Sequence, residues 1–380
     1  MSDRLQSLRE RLDLVDRRVV EALAERQRLV EEVATLKADP QLLLRDAARE
    51  RELLTKISSL AEAEGVDGYF VESLYRSILE HSVRFQAASQ RLLRVAYQGV
   101  EASYSHAAGR KHFAASPQEV QFVGRKSFAA ALDALAGHET ERAFLPIENS
   151  VAGSITETYD LLQRTDLHIV GEELYRVEHC LLALDAVPLE RIRRIGSHPQ
   201  ALAQCGNFLQ SLGHCRIEVE ADTASAAMLV AEAGDLSRAA IASEEAATHY
   251  GLHVVRRDIA NEKENFTRFI AVAREPQPAD PRLPHKTSLL LTIAHHEGAL
   301  TRGLETLTRH GVNLTKLESR PLPGRPWQYL FYLDHEGGLH EEHVVRAHAE
   351  LATHAEALRV LGSYPQNLPG AKTVSPAAIS

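Results

Sequence analysis

Cysteine is scarce in this 380-residue sequence: Cys180, Cys205 and Cys215 are all there is. An odd number without metal-site spacing is no disulfide framework, and it suits a reducing compartment with the thiols as small core fillers. No apolar run approaches the roughly 20 residues of a membrane span. The opening residues, MSDRLQSLRE, are charged from the start, so no signal peptide is expected and a cytoplasmic location is. Positive charge is not in excess either. Lys and Arg number 43 against 52 Asp and Glu, a net charge of −9, which argues against a nucleic-acid or anionic-membrane binder. A G-x-G-x-x-G phosphate turn is missing, and with it the mark of a nicotinamide-dependent activity. His335-Glu336 is followed by His340, one position too far for the zinc-protease pattern and with two glycines between, so it is assigned to a loop after a strand. Neither a metal nor a cofactor is expected.

What is present is organised in segments. A chain this long exceeds one core, and two to four domains are expected. Its 44% hydrophobic and 25% charged residues are those of a globular protein. From Leu5 to Ala38 there is neither Gly nor Pro, and Leu5, Leu8, Leu12, Val15, Val19, Leu23, Val30 and Val33 fall near a helical stripe. This predicts one helix of roughly 50 Å. The two helices expected next, about 42–63 and 68–88, are too short to cover it, so a second copy of the chain is expected: a homodimer or a higher homo-oligomer. Arg26 and Lys37 are eleven residues apart and share a face. Arg9 lies about 25 Å from Arg26 along the axis and reaches the same small ligand only from a partner helix. Asp46 and Glu50 are spaced i,i+4 with Arg49 beside them, and Ser82 and Gln86 share the same spacing. The alternative is a set of solvated faces and salt bridges, the usual fate of such charges.

Residues 1–90, read through Arg9, Arg26, Lys37, Asp46, Arg49, Glu50, Ser82 and Gln86, resemble the all-helical chorismate mutase domain, an intertwined dimer of three-helix chains. The resemblance implies conversion of chorismate to prephenate. That pericyclic rearrangement needs no nucleophile, so catalysis is the holding of a compact conformer and stabilisation of charge on the ether oxygen. It further implies that Lys37 and Gln86 face that oxygen, that Glu50 and Asp46 hold the ring-hydroxyl end, and that Arg9 comes from the other protomer.

Residues 92–274 repeat strand, polar turn, helix, the doubly wound pattern whose ligands sit at strand ends and helix starts. The turns are Ser103-Tyr104-Ser105, Glu148-Asn149-Ser150 with Gly153, Ser197 with Gln200 and Gln204, Thr223 with Ser225, and Ser243-Glu244. Capping accounts for a polar residue at each turn, Ser154 and Ser243 among them, but not for further amides such as Asn149, Gln200 and Gln204. Several helix starts converging on one cleft between two α/β lobes would hold a small dianion. At Asn265-Phe266-Thr267-Arg268-Phe269, a densely polar loop becomes a core strand read as Phe269 to Ala273. Pro146-Ile147-Glu148-Asn149-Ser150, Ser197-His198-Pro199-Gln200, Asp222-Thr223-Ala224-Ser225 and Thr267-Arg268-Phe269 closely resemble the signatures of prephenate dehydratase. Ala102 stands where that family often has Gly. The resemblance implies a two-lobed, periplasmic-binding-protein-like fold and conversion of prephenate to phenylpyruvate, carbon dioxide and water, with Thr267 essential. Thr267 is expected to hydrogen-bond the leaving oxygen or relay a proton. Arg268 and the helix starts are expected to hold carboxylates, Asn149, Ser197 and Gln204 to donate hydrogen bonds, and Glu148 to steady its loop.

Between Pro276 and Pro284 four prolines in nine residues mark a linker. Residues 285–365 then read strand–helix–strand–strand–helix–strand, an α+β ferredoxin-like order, and residues 366–380 read as a tail. Gly298-Ala299-Leu300 and Glu318-Ser319-Arg320-Pro321 resemble motifs of the ACT domain, the regulatory module of amino-acid pathways. This implies L-phenylalanine bound between paired domains as a feedback inhibitor, with the response lost on truncation near Pro281. A helix start at Gly298 and a same-strand ion pair between Glu318 and Arg320 are the bland alternatives.

Taken together, the chain resembles the bifunctional chorismate mutase/prephenate dehydratase family with a C-terminal ACT domain. Two other readings remain: a dehydratase whose helical segment serves only dimerisation, and a non-catalytic sensor with a two-lobed cleft. The first has no use for the set Arg9, Arg26, Lys37, Glu50 and Gln86, and the second has no use for Thr267.

Overall fold

The computed structural model describes residues 2–36, 47–89, 92–278, 280–293, 296–322, 324, 325 and 327–367; in the helical segment, side chains are described for 4–30 and 50–82. That segment is three helices: α1 (Ser2–Leu36), α2 (Ala47–Ala63) and α3 (Gly68–Ser89). The α2–α3 turn is set by Gly65 at a φ of 72° and by Asp67, whose carboxylate accepts from the Phe70 N–H at 2.9 Å. Leu5, Leu8, Leu12, Val15, Val19 and Leu23 remain 42–61% exposed along α1, so a single chain leaves the apolar stripe of its longest helix uncovered. Among the described residues no helix is long and apolar enough to cross a membrane.

The next elements form two lobes. In the first are β1 (Leu93–Gln98), α4 (Tyr104–His112), β2 (Val120–Arg125), α5 (Phe128–Ala136), β3 (Arg142–Asn149), β4 (Gly153–Ser154), α6 (Thr156–Gln163) and β5 (His168–Arg176). The chain then crosses to the second lobe for β6 (Cys180–Ala183), β7 (Arg194–Ser197), α7 (Pro199–Gln204), α8 (Gly206–Ser211), β8 (Arg216–Val219), α9 (Thr223–Ala233), β9 (Arg238–Ala242), α10 (Glu244–Tyr250) and β10 (His253–Arg256). It returns as β11 (Phe266–Ala273), which enters the middle of the first sheet. Strand order is β2-β1-β3-β11-β5 in the first sheet, with β4 on β3, and β10-β6-β9-β7-β8 in the second. Both faces of β11 are covered, which is why its sequence runs almost unbroken in apolar residues. Cys180 and Cys205 are buried, and burial raises their thiols to about 11 and about 12.

The C-terminal part is β12 (His285–Ile293), α11 (Ala299–Arg309), β13 (Leu314–Pro321), β14 (Tyr329–Glu336), α12 (Glu342–Thr353) and β15 (Ala355–Pro365), an antiparallel sheet of order β13-β14-β12-β15. The βαββαβ element order is the one read from the sequence. The sheet does not stand apart, however: Leu330, Tyr332, Leu361 and Tyr364 share one apolar core with Leu145, Ile147, Ile169 and Ile270 of the first lobe. His335 and Glu336 close β14 instead of lying in a loop after it, and His335 Nε2 meets His348 Nε2 at 2.7 Å.

Candidate active sites

Between the lobes lies a cavity of about 640 Å³. Its wall is built from helix starts. Ser103 to Ser105 open α4, Ser127 and Phe128 open α5, Ile155 to Glu157 open α6, His198 to Ala201 open α7, and Asp222 and Thr223 open α9. Three of these helices are capped by the residues that local sequence would choose: Ser103 accepts from the His106 N–H, Ser127 from Ala130 and Asp222 from Ser225. Ser243 caps α10 in the same way. The helix N-termini turn their positive dipole ends towards the cavity, whose lining also holds Lys126, Glu157 and Asp222. Ala102 stands just before α4 with a φ of 62°, so a backbone conformation that favours glycine is kept here with alanine.

Nine of the residues expected at this site line the cavity: Ser103, Tyr104, Ser105, Asn149, Gly153, Gln200, Gln204, Thr223 and Thr267. Asn149 lies opposite Thr267 across the β3–β11 pairing, and its amide donates to Thr267 Oγ1 at 3.0 Å. The remaining five expected residues are not in its lining. Ser197 is buried and donates to the Ile241 carbonyl. Ser225 is engaged with Asp222. Ser150 accepts from the Phe266 N–H and donates to the Glu264 carbonyl.

The other two corrections have one cause. Strand β11 begins at Phe266, not Phe269, so Thr267 and Arg268 are consecutive strand residues and point to opposite faces. Thr267 looks into the cavity, whereas Arg268 looks behind the sheet. There its Nε donates to Glu172 at 2.7 Å, Nη1 to Asp334 at 2.5 Å and Nη2 to the Tyr364 hydroxyl at 2.8 Å. Glu148 faces the same rear side beside Asn149, bound by Lys316 at 2.6 Å. Neither Arg268 nor Glu148 therefore reaches a ligand in this cavity. Ser154, expected to cap α6, instead donates to Glu318 at 2.7 Å, and α6 begins without a side-chain cap.

Sequence reasoning missed four residues here. With Arg268 turned away, Lys126 is the one Lys or Arg in the lining among the described residues. His198 is the N-cap of α7, accepting from the Gln200 N–H through Nδ1. His179 is buried, and burial lowers its pKa, so its imidazole is neutral near pH 7. Asn265, 1% exposed, ties Asn149 to Gln204. A larger concavity, about 850 Å³, opens behind Tyr104 among Glu101, Arg110, Glu244 and Arg257. It lacks Thr267, and there Arg257 already pairs with Glu244.

In the helical segment Arg26 on α1 donates to Ser82 Oγ on α3 at 2.6 Å, which joins two of the expected residues. Glu50 lies half-buried in the first turn of α2, and Arg9 is exposed on α1. Arg49 and Gln86 lie on α2 and α3, and their side chains fall outside the described set. Lys37 and Asp46 lie outside the described residues.

In the C-terminal part Ala299 and Leu300 border a small cavity of about 140 Å³ with Ile293, His296, Tyr329 and Phe331. Gly298 holds the N-cap of α11 at a φ of 72°. Glu318 and Arg320 are not an ion pair with each other. Both point at the first lobe, Glu318 to Ser154 and Arg320 to Asp160 at 2.6 Å, and neither borders that cavity; Ser319 and Pro321 do not border it either.

Residues 95–277 match the prephenate dehydratase family and residues 8–87 the chorismate mutase type II family. The bifunctional chorismate mutase/prephenate dehydratase of Escherichia coli (strain K12) is 37% identical over 370 residues, covering 95% of this chain and 96% of that protein. The crystal structure of prephenate dehydratase from Arthrobacter aurescens in complex with L-Phe is 31% identical with a TM-score of 0.65, over 76% of this chain and 96% of that one. GqqA, described as a novel type of quorum quenching acylase, is 36% identical with a TM-score of 0.65, over 72% of this chain and 98% of its own.

Proposed function

We propose, from the premise that this chain belongs to the bifunctional chorismate mutase/prephenate dehydratase family and is both a chorismate mutase and a prephenate dehydratase, that the first reaction is carried by α1–α3 and the second by the cavity between the lobes. The observation that carries the reading is Thr267, whose hydroxyl faces a cavity framed by five helix starts. The test is a chorismate feed to the purified chain with prephenate and phenylpyruvate measured separately. Both should form in sequence, and folded protein that turned over neither would refute the assignment.

In the mutase, Arg26 is a carboxylate holder and Ser82 steadies it, as their 2.6 Å bond supports. Lys37 and Gln86 take the ether oxygen, Asp46 and Glu50 take the ring-hydroxyl end, and Arg49 is a further chorismate-binding residue. Arg9 serves a second protomer, and the uncovered apolar stripe of α1 supports an intertwined homodimer. Arg26→Ala should lower chorismate turnover about 10²-fold and leave the dehydration of added prephenate unchanged. Steady-state assays on each substrate decide it, and a parallel loss of both activities would count against separate sites.

In the dehydratase, Lys126 and the helix starts hold the two prephenate carboxylates. Asn149, Gln200 and Gln204 orient the ring, and Thr267 donates a hydrogen bond to the departing hydroxyl as carbon dioxide is lost and the ring becomes aromatic.

The C-terminal part is an ACT-type sensor of L-phenylalanine. Support comes from its βαββαβ order, from Ala299 and Leu300 at a small cavity of mixed apolar and polar lining, and from the L-Phe held by the Arthrobacter enzyme. Truncation at Pro281 is a poor test, because it would strip Asp334 and Tyr364 from buried Arg268. Leu300→Arg is cleaner. It should raise the phenylalanine concentration for half-inhibition of dehydration about 10-fold, a change of about 1.4 kcal/mol, since the longer charged side chain would occupy the space beside Ile293 and Phe331. An unaltered inhibition curve would remove Leu300 from the site.

A further inference from the structure

Thr267 can help a hydroxide leave only if its own O–H hydrogen is directed at the substrate. Its neighbours settle that direction. The backbone N–H groups of Val151 and Ala152 donate to Asn149 Oδ1 at 3.1 and 2.8 Å. Backbone donors cannot exchange roles, so Asn149 must present its NH2 on the other side. That NH2 gives one hydrogen to Asn265 Oδ1 at 2.7 Å, and its second is shared between Thr267 Oγ1 at 3.0 Å and the Phe266 carbonyl at 3.1 Å. Thr267 is therefore an acceptor towards Asn149, and among the described residues no acceptor takes its hydrogen.

The same logic passes through Asn265. With its oxygen committed to Asn149, its NH2 donates to Gln204 Oε1 at 3.1 Å. Gln204 Oε1 also faces His179 Nε2 at 2.9 Å, which makes Nε2 the protonated nitrogen of that neutral ring. Gln204 then turns its own NH2 towards Asn149 Oδ1, 3.4 Å away at the cavity wall. Asn149 and Thr267 belong to the first lobe and Gln204 to the second. His179 and Asn265 come from the two segments that cross between the lobes.

We propose that Asn265, backed by His179, is a positioning residue for dehydration: it fixes the amide orientations of Asn149 and Gln204 across the two lobes, so that the Thr267 hydrogen is the one offered to the departing hydroxyl. This rests on the assignment of prephenate dehydration to the cavity.

Asn265→Asp tests it. The side chain keeps its shape and its acceptor for Asn149, but as a carboxylate it has no donor for Gln204. Dehydration kcat at neutral pH should fall about 10²-fold with KM changed less. Protonation of the new carboxyl restores one donor and one acceptor, so the deficit relative to wild type should shrink as pH is lowered. The titratable groups lining the cavity are Tyr104, Lys126, Glu157, His179, His198 and Asp222. All are common to both proteins, so their titration divides out of the ratio. His179→Gln, which can keep a donor for Gln204, should retain more activity than His179→Leu. A variant that matches wild type, a deficit independent of pH in folded protein, or equal loss in both His179 variants would overturn the proposal. Wild type that failed to convert prephenate would instead overturn the assignment on which it rests.

Discussion

Thr267→Ala should convert chorismate at the wild-type rate and stop at prephenate. The hydroxyl lies on β11, whose backbone is held on both edges by β3 and β5, so loss of the Thr267 hydroxyl and γ-methyl leaves the strand in register. Removal of one preorganised donor at a site of developing charge costs about 10²–10³-fold in kcat. The dehydration rate should fall by that much, with phenylpyruvate slow to appear and prephenate accumulating. Threonine is too weak an acid to transfer its proton outright at neutral pH. The size of the loss therefore measures hydrogen-bond stabilisation of the leaving oxygen, and Thr267→Ser, which keeps the hydroxyl, should recover most of it. Separate quantitation of prephenate and phenylpyruvate from a chorismate feed is the measurement. Were chorismate consumption to fall in step, the two reactions could not have separate sites. Were phenylpyruvate formation unchanged, Thr267 would be an ordinary strand-entry residue.

The parts of this molecule legible in sequence are those fixed by local physics. Absence of Gly and Pro gave α1, the recurring polar turns gave the helix starts, and the four prolines gave the break before β12. Reading failed where distant residues decide. Ser154 has cap-like spacing with Glu157, but its hydroxyl meets Glu318, far along the chain. Proline is disfavoured inside a central strand, yet β3 continues through Pro146, because it falls at the pairing irregularity opposite Phe269. The misplacement of Arg268 is different in kind. Two-residue alternation already separates Thr267 from Arg268 once the strand is begun at Phe266, so that signal was present and the boundary concealed it. His179 carried a fainter sign, a polar side chain just before the wholly apolar strand Cys180–Ala183, the same polar-to-core step that marks Thr267.

Arg268→Met should unfold the dehydratase part at lower temperature, not weaken prephenate binding. Arg268 is 8% exposed. Burial works against its charge, but Tyr364, Asp334 and Glu172 outweigh this and hold its pKa well above the ordinary value. Around it, Lys286 pairs with Glu172 at 2.9 Å and Ser288 donates to Asp334 at 2.5 Å, so the buried Arg268 and the half-buried Lys286 balance two buried carboxylates. A methionine fills much of the volume but strands the Asp334 carboxylate. Breaking such a pair from one side costs about 3–5 kcal/mol, on the order of 10 °C in Tm for a unit of this size. Arg268→Lys keeps the charge but loses the three-way fork, and should fall between. Acid should narrow the difference. Burial would raise the pKa of Asp334, yet Arg268 and Ser288 hold it below its ordinary value. Its favourable contribution is therefore present above the unfolded pKa of about 4 and lost as pH falls through the lower folded value, so wild type and variant should converge there. Thermal unfolding against pH, with KM for prephenate beside it, separates the roles. A raised KM at unchanged Tm would return Arg268 to the substrate, whereas a lowered Tm that converges in acid makes it the ionic joint between Thr267's strand and the C-terminal sheet.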